Sequence, residues 1–244
     1  MENVSYSQSY ANSYSFVGKT MLWFGFGILL TAGLALGLPQ LYQNLGWIVL
    51  SESHQIAAIA ASGARAINII TITCAIVAFI TSIVSSFTIF KSQEHVAYAI
   101  VPYFIYVLCW GGILSIFCMF FDWYTIGLAF GSTSLVFFSI GIIGYLSRGR
   151  IGWAWGLVGG LFMGALPLII VNIFLRSPVL YWVIEFAFLI AILLFVFIDF
   201  RRIGEYSRNG ATSTGLAIYC AFNIYCDFIY IFVKLLQIIA YTRN

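Results

Sequence analysis

Two aspartates lie inside otherwise apolar segments near the carboxyl end of the chain. Asp199 and Asp227 are flanked mainly by Phe, Ile, Leu, Tyr and Val. A charged residue at bilayer depth costs about 2.5–3.5 kcal/mol on insertion scales, so such residues usually line a polar path or bind an ion. If the two carboxyl groups meet in a low-dielectric site, they share a proton and respond to pH. Deprotonated, they offer the hard oxygen ligands that calcium prefers, and we therefore expect a pH sensor and calcium-binding pair.

Structural roles for the two aspartates are the alternative. Asp199 can cap its helix, or it can pair with Arg201 or Arg202, which follow it closely. Asp227 can pair with Lys234, about 10 Å further along the same helix. Because Asp227 lies deeper in its apolar segment than Asp199, its position favours a functional role more strongly.

Asp227 belongs to a polar stripe on the last apolar segment. Steps of four, three and four residues relate Asn223, Asp227, Tyr230 and Lys234, so one helix face carries all four. That face is unsuited to lipid, so we expect this helix at the centre of a bundle, with Asp199 as the partner of Asp227. Asn223, backbone carbonyls and water would complete a calcium site.

A further acid, Glu185, precedes Asp199 on the same predicted helix. The separation of fourteen residues corresponds to roughly 21 Å along the helix and about 40° around it, which is nearly the same face. At the outer mouth of a path, Glu185 would attract cations towards Asp199. A protonated or locally hydrogen-bonded glutamate near the outer interface is the structural alternative.

The composition is that of an integral membrane protein. Of the 244 residues, 62% are hydrophobic and only 8% are charged, so most of the surface is suited to lipid. The net charge of +3 is spread over short connections, which excludes a nucleic-acid surface. His54 and His95 are too few for a histidine-rich zinc site, and the five cysteines lack metal-type spacing. We expect no cofactor, and calcium, protons and the lipid bilayer as partners.

The uncharged intervals predict an all-α polytopic fold with seven transmembrane helices. The intervals are 17–38, 66–90, 96–119, 123–146, 151–174, 179–199 and 215–241. We expect one transmembrane domain over residues 1–244, in which 1–16 form a polar amino-terminal tail without a cleaved signal. Within the longest connection, 39–65, the short apolar stretch 55–61 extends the second helix or lies at the interface.

The basic residues predict a cytoplasmic amino terminus. With that orientation, seven basic residues lie on the inner side: Lys19, Lys91, Arg148, Arg150, Arg201, Arg202 and Arg208. Three lie on the outer side, namely Arg65, Arg176 and Arg243, provided that the last segment crosses fully. The short loops and tails favour a bacterial cell membrane.

The fifth span carries a stripe of small residues. Gly152, Gly156, Gly160 and Gly164 recur at steps of four, which places them on one helix face. Such a stripe predicts a packing seam at which a neighbouring backbone approaches closely.

Four strings, in order, resemble the transmembrane Bax-inhibitor-motif family (the Bax inhibitor-1 family). They are AFGSTSLVF at 129–137, VNIF at 171–174, FIDFRRI at 197–203 and AFNIYCDFIYIFVKLL at 221–236, with weaker similarity in VAYAI at 96–100. The resemblance implies six helices wrapped around a central seventh, and a pH-sensitive calcium leak path of the bacterial type controlled by two aspartates. Asp199 and Asp227 match those two positions. Lys91 best matches the basic residue that acts as a latch on the pair in bacterial relatives.

Three residues depart from the family pattern. Tyr230 replaces an amide, and Lys234 stands where a neutral side chain is common, so that its amine would compete with a cation bound near Asp227. Lys91 stands where a relative has arginine, and lysine lacks the planar bidentate grip on carboxylates, which predicts a looser latch.

The leading hypothesis is a passive, pH-sensitive calcium channel without covalent chemistry. The alternative is a non-transporting membrane interaction protein that modulates stress or cell-death partners, with the acids serving helix packing. An intramembrane aspartyl protease is disfavoured, because the GxGD motif is absent before Asp227. A retinal protein with Lys234 as the attachment site is disfavoured too, because the third helix lacks a buried carboxylate and only Asp122 lies beyond its end.

Overall fold

A computed structural model of the protein describes residues 2–50, 56–148 and 151–243, most of them in long helices. The helices are α1 Glu2–Asn44, α2 Ala61–Glu94, α3 Ala97–Phe120, α4 Trp123–Leu146, α5 Gly152–Leu175, α6 Pro178–Arg208 and α7 Thr214–Arg243. Each of these seven contains a stretch long and apolar enough to cross a membrane. The prediction of an all-α polytopic membrane protein with seven spans is confirmed.

The amino-terminal part differs from the sequence-based expectation between α1 and α2. Helix α1 begins at Glu2, so the polar tail is helical over residues 2–16. No Gly or Pro precedes Gly18, and without a helix breaker the apolar helix continues into the polar segment. Between α1 and α2, strand β1 (Ile48–Leu50) pairs antiparallel with strand β2 (Ile56–Ile59). Within the apolar stretch at 55–61, residues 56–59 therefore form a strand and not an extension of α2, which begins at Ala61.

Helix α7 is the central helix of the bundle. It packs against α1, α2, α3, α4 and α6, whereas α5 packs against α6. Several α7 side chains are fully buried, including Ala217, Ile218, Ala221, Ile224, Ile231 and Leu236. The predicted central position of the last helix is confirmed, and α5 joins the bundle mainly through α6.

The predicted glycine seam on α5 is wrong. At none of these four glycines does an atom of another described element lie within 4 Å of the position that a Cβ would take. A close approach lies instead between α4 and α6, where a Cβ on Gly144 would be 2.5 Å from the carbonyl oxygen of Phe197. On the α6 side, a Cβ on Gly204 would be 2.8 Å from the carbonyl oxygen of Tyr145. A stripe of small residues permits close packing, but neighbouring helices decide where it occurs.

A short connection makes α6 and α7 antiparallel neighbours. Helix α6 starts at Pro178, where the Ser177 side chain accepts a hydrogen bond from the backbone nitrogen of Leu180 at 3.4 Å. It ends at Arg208, and the chain turns through Gly210, whose φ of 72° suits glycine. Helix α7 begins four residues later, at Thr214. The acids of the last two helices are therefore brought face to face.

Candidate ion site between the last two helices

Asp199 of α6 and Asp227 of α7 lie close together in the structure. Both line the same cavity, and their carboxyl groups are near enough to interact electrostatically. Asp227 is only 9% exposed, and its Oδ2 is buried without a hydrogen-bond partner among the described residues. Burying a carboxylate oxygen without a partner costs free energy, so a proton, a water molecule or a cation bound to this atom would stabilise it.

Arg202 is the basic residue that contacts the pair. Its Nη1 donates a hydrogen bond to Oδ1 of Asp199 at 3.3 Å. The guanidinium carbon also lies 5.1 Å from the centre of the Trp155 ring on α5, which is a cation–π contact. Pairing of Asp199 with Arg202 and contact of Asp199 with Asp227 therefore coexist. The spacing of three residues already placed Arg202 on the same helix face as Asp199.

A cavity of about 530 Å³ opens beside the two aspartates. Helix α6 contributes Phe188, Ile192, Phe195, Asp199 and Arg202, and α7 contributes Tyr219, Asn223, Cys226, Asp227 and Tyr230. The remaining wall consists of Ser86 of α2 with Trp155 and Phe162 of α5. A water molecule occupies about 30 Å³ in the liquid, so the cavity has room for an ion with part of its hydration shell. Its charged groups come from Asp199, Arg202 and Asp227.

The opposite face of α7 fixes the rotation of that helix. The Tyr225 hydroxyl and the Thr31 hydroxyl of α1 share a buried hydrogen bond of 2.5 Å. Tyr103 of α3, which is fully buried, donates to the carbonyl oxygen of Trp23 and packs edge-on against the Tyr225 ring. These contacts hold the aromatic face of α7 against α1 and α3, so Asp227 faces α6.

The predicted polar stripe of α7 divides between two places. Asn223, Asp227 and Tyr230 line the cavity, whereas Lys234 forms an ion pair with Glu185 of α6. Lys234 therefore pairs with Glu185 and not with Asp227. Glu185 is likewise an ion-pair partner in the structure, rather than an isolated acid at the mouth of a path.

Lys91, the latch residue implied by the resemblance, lies elsewhere. It is exposed in the last turn of α2, and its Nζ lies 5.7 Å from the centre of the Tyr98 ring on α3. Helix α2 reaches the cavity through Ser86 instead. The resemblance assigned a contact with the acids to Lys91, but in the structure Arg202 makes the contact with Asp199. Arg202 lies one turn from Asp199 on the same helix, so its side chain reaches the carboxylate without crossing the cavity.

Sequence reasoning missed three further side chains of the site. Tyr219 lines the cavity together with Asn223 and lies four residues before it, so it extends the predicted stripe by one turn. Trp155 and Ser86 come from distant helices. Their positions follow from the packing of α5 and α2, for which the sequence carries no local signal.

Comparison with known protein families places the chain in one of them. A family model described as inhibitor of apoptosis-promoting Bax1 (Bax1-I) matches residues 13–244. The matched residues include both aspartates and all of α2 to α7. A search of curated proteins finds no match.

Proposed function

The chain belongs to the Bax inhibitor-1 family, and on that premise we propose that it is a pH-sensitive, calcium-permeable leak channel controlled by Asp199 and Asp227. The observation that carries the proposal is that two acids lie close together in the lining of one cavity. Buried like charges are unfavourable unless a proton or a cation lies between them. Both species are thus natural ligands of this site.

The residues at the cavity suit a calcium ion. Calcium takes about six to eight oxygen ligands at 2.3–2.6 Å and accepts carboxylates, amide carbonyls and water. Asp199 and Asp227 would supply the carboxylates, and Asn223 a neutral oxygen; all three line the cavity. Water and backbone carbonyls would complete the shell. A site with few protein ligands binds weakly enough to release the ion, as a leak path requires.

Protons would act on the same carboxylates. The other ionisable groups that line the cavity are Arg202, Tyr219, Cys226 and Tyr230, and Arg202 keeps its charge at any physiological pH. Protonating the aspartates removes the charge that holds both a cation and the Arg202 guanidinium. Arg202 would then be free to leave Asp199, which links pH to movement at the α6–α7 contact.

The deciding experiment measures calcium entry into liposomes that contain the purified full-length chain, from pH 5 to 8. We expect Asp227→Asn to abolish the protein-dependent flux and its pH dependence, because the substitution removes one carboxylate. Glu205→Gln is the matched control, since Glu205 is an exposed acid of α6 outside the cavity; its flux should equal that of the unmodified protein. Flux indifferent to Asp227→Asn would contradict the proposal and favour a non-transporting membrane interaction protein.

We further propose a cytoplasmic amino terminus in a bacterial cell membrane. The excess of basic residues on that side supports this orientation. Two residues named in the sequence analysis, Arg150 and His54, lie outside the described residues. The unbroken helix α7 supports full crossing by the last span. Reaction of single cysteines introduced at 19 and 176 with an impermeant thiol reagent, in a variant without native cysteines, tests this orientation. Labelling of position 19 from outside intact cells would contradict it.

A further inference from the structure

Helices α6 and α7 face each other along two regular stripes. On α6, the residues that line the cavity recur at steps of three or four, namely Asp199, Phe195, Ile192 and Phe188, and Glu185 is the next position on that face. On α7 the series is Asn223, Asp227 and Tyr230, and Lys234 is the next position. The ion pair of Glu185 with Lys234 thus lies directly beyond the cavity, in the same α6–α7 seam.

The seam is narrow where the ion pair lies. Lys234 donates to Oε2 of Glu185, and the two side chains are 25% and 21% exposed. The space beside them is only about 30 Å³, compared with about 530 Å³ beside the aspartates. Next to the ion pair, the Trp182 ring of α6 packs against the Tyr241 ring of α7 with centroids 5.2 Å apart. These contacts hold α6 and α7 together at this end.

The charges of the ion pair oppose the passage of a cation. The Lys234 ammonium neutralises Glu185, so no unpaired carboxylate attracts a cation at this end of the cavity, and the ammonium itself raises the energy of a cation that approaches it. Lysine carries that charge on a flexible four-carbon stem and without bidentate geometry, so it can leave the carboxylate by rotation of its side chain. As long as the ion pair is formed, the ammonium acts as a cation that is attached to α7 and occupies the Glu185 carboxylate.

We propose that Glu185 is a second cation-binding acid of the pathway and that Lys234 closes this end of the seam by occupying it. A divalent cation reaching Asp227 from this end displaces the Lys234 ammonium from Glu185. The inference rests on the proposed function, because it assigns a regulatory step to the same pathway. A purely structural ion pair is the competing explanation, and it makes a different prediction for single substitutions.

Calcium flux in liposomes separates the two explanations by sign. Lys234→Gln leaves an unoccupied Glu185 carboxylate in front of the cavity, and we expect flux to rise severalfold. Glu185→Gln leaves an uncompensated ammonium there, and we expect flux to fall severalfold. The charge exchange Glu185→Lys with Lys234→Glu restores an ion pair and should return flux towards the original value. If the two single substitutions change flux in the same direction, or not at all, the inference is overturned.

A readout without calcium tests closure independently. Cys226 lines the cavity, whereas Cys118 lines a separate apolar cavity and serves as the internal control. An impermeant thiol reagent is added outside liposomes, and each labelled cysteine is quantified by mass spectrometry. We expect Lys234→Gln to speed labelling of Cys226 severalfold and to leave Cys118 unchanged. Equal labelling of Cys226 in both proteins would overturn closure by Lys234.

The two experiments distinguish failure of the inference from failure of the proposed function. Flux that depends on Asp227 but not on Glu185 or Lys234 overturns the inference and keeps the channel. If the protein shows no calcium flux but Lys234→Gln still speeds the labelling of Cys226, the channel is overturned and the closure of the seam by Lys234 is kept. The variant Asp227→Asn with Lys234→Gln, which should label rapidly and carry no calcium, separates access to the cavity from passage through it.

Discussion

The α6–α7 seam holds two charged contacts of opposite kind. At one contact, Asp199 and Asp227 bring two acids together with Arg202 at their edge. At the other, Glu185 and Lys234 neutralise each other. The first contact leaves a buried carboxylate oxygen that has no hydrogen-bond partner within the described part of the chain, whereas the second satisfies its own charges. A carboxylate without a partner can take up a proton or a cation, whereas an ion pair satisfies its own charges. We therefore propose different roles for the two contacts, a sensor at the aspartates and a barrier at the ion pair.

The two contacts also differ in reach. Aspartate has a short side chain, so the acids meet only if the α6 and α7 backbones lie close together at that level. Lysine and glutamate have longer side chains that can follow a displacement by changing rotamer, and a small shift of α6 therefore disturbs the acid contact more than the ion pair. The comparison predicts unequal responses to charge, to pH and to displacement of α6.

Converting the acid contact into an ion pair should have the largest effect. Asp227→Lys places an ammonium beside Asp199 and makes this contact resemble Glu185–Lys234. We expect calcium affinity to fall by about a hundredfold or more, because the charge of the ligands sets calcium affinity. Equilibrium binding of radioactive calcium to the purified protein measures it. Glu205→Lys, the same charge reversal at an exposed position of α6, should leave calcium affinity unchanged.

Lowering the pH should weaken calcium binding by a smaller factor. Calcium needs deprotonated carboxylates, so protons compete with it, and we expect affinity to fall about tenfold from pH 7.5 to pH 5.5. The same binding assay at both pH values measures the change. In Asp227→Asn the remaining affinity should depend less on pH; an equal dependence in both proteins would place the titrating group elsewhere.

Displacing α6 should disturb the acid contact and spare the ion pair. In Gly144→Val, the new side chain meets the Phe197 carbonyl oxygen, which lies 2.5 Å from the position of a Cβ. Overpacking of this kind costs about 1–3 kcal/mol, and we expect a lower melting temperature and severalfold weaker calcium binding. The matched control is Gly156→Val on α5, where no described atom lies within 4 Å of that position. An equal loss in both variants would contradict a special role for the α4–α6 approach.

Removing the arginine from the acid contact should have the smallest effect. Arg202→Gln takes away a charge that competes with calcium for Asp199. The Arg202 side chain is 38% exposed, and a partly exposed ion pair is worth up to about 1 kcal/mol, so we expect calcium affinity to rise only about threefold. Arg208→Gln removes an arginine whose Nη1 contacts the Tyr145 carbonyl oxygen on α4, and calcium affinity should stay unchanged.

Several parts of the site follow from local spacing, and others do not. The steps between Asn223, Asp227 and Tyr230 predict a shared helix face, and all three line the cavity. Lys234 shares that face, yet its long side chain reaches Glu185 instead of Asp227. Spacing places a residue on a face, but the reach of its side chain and the neighbouring helix decide its partner.

The α5 glycine stripe and Lys91 show the same limit. The stripe satisfies the spacing of a packing seam, yet α4 and α6 make the close approach through Gly144 and Gly204. Lys91 matches a family position, yet it contacts Tyr98. In both cases the residue type suggested one neighbour, but the way in which the helices pack placed the residue away from that neighbour.

The sequence by itself determined the lipid-spanning class, the seven helices and the central place of the last one, because apolar length and polar stripes are properties of single segments. It also singled out Asp199 and Asp227, because a carboxylate is conspicuous in an apolar segment. Only the tertiary structure decided that these acids line one cavity, that Arg202 rather than Lys91 contacts Asp199, and that Lys234 binds Glu185. Those choices depend on the relative rotation and height of α6 and α7, which many distant contacts fix together.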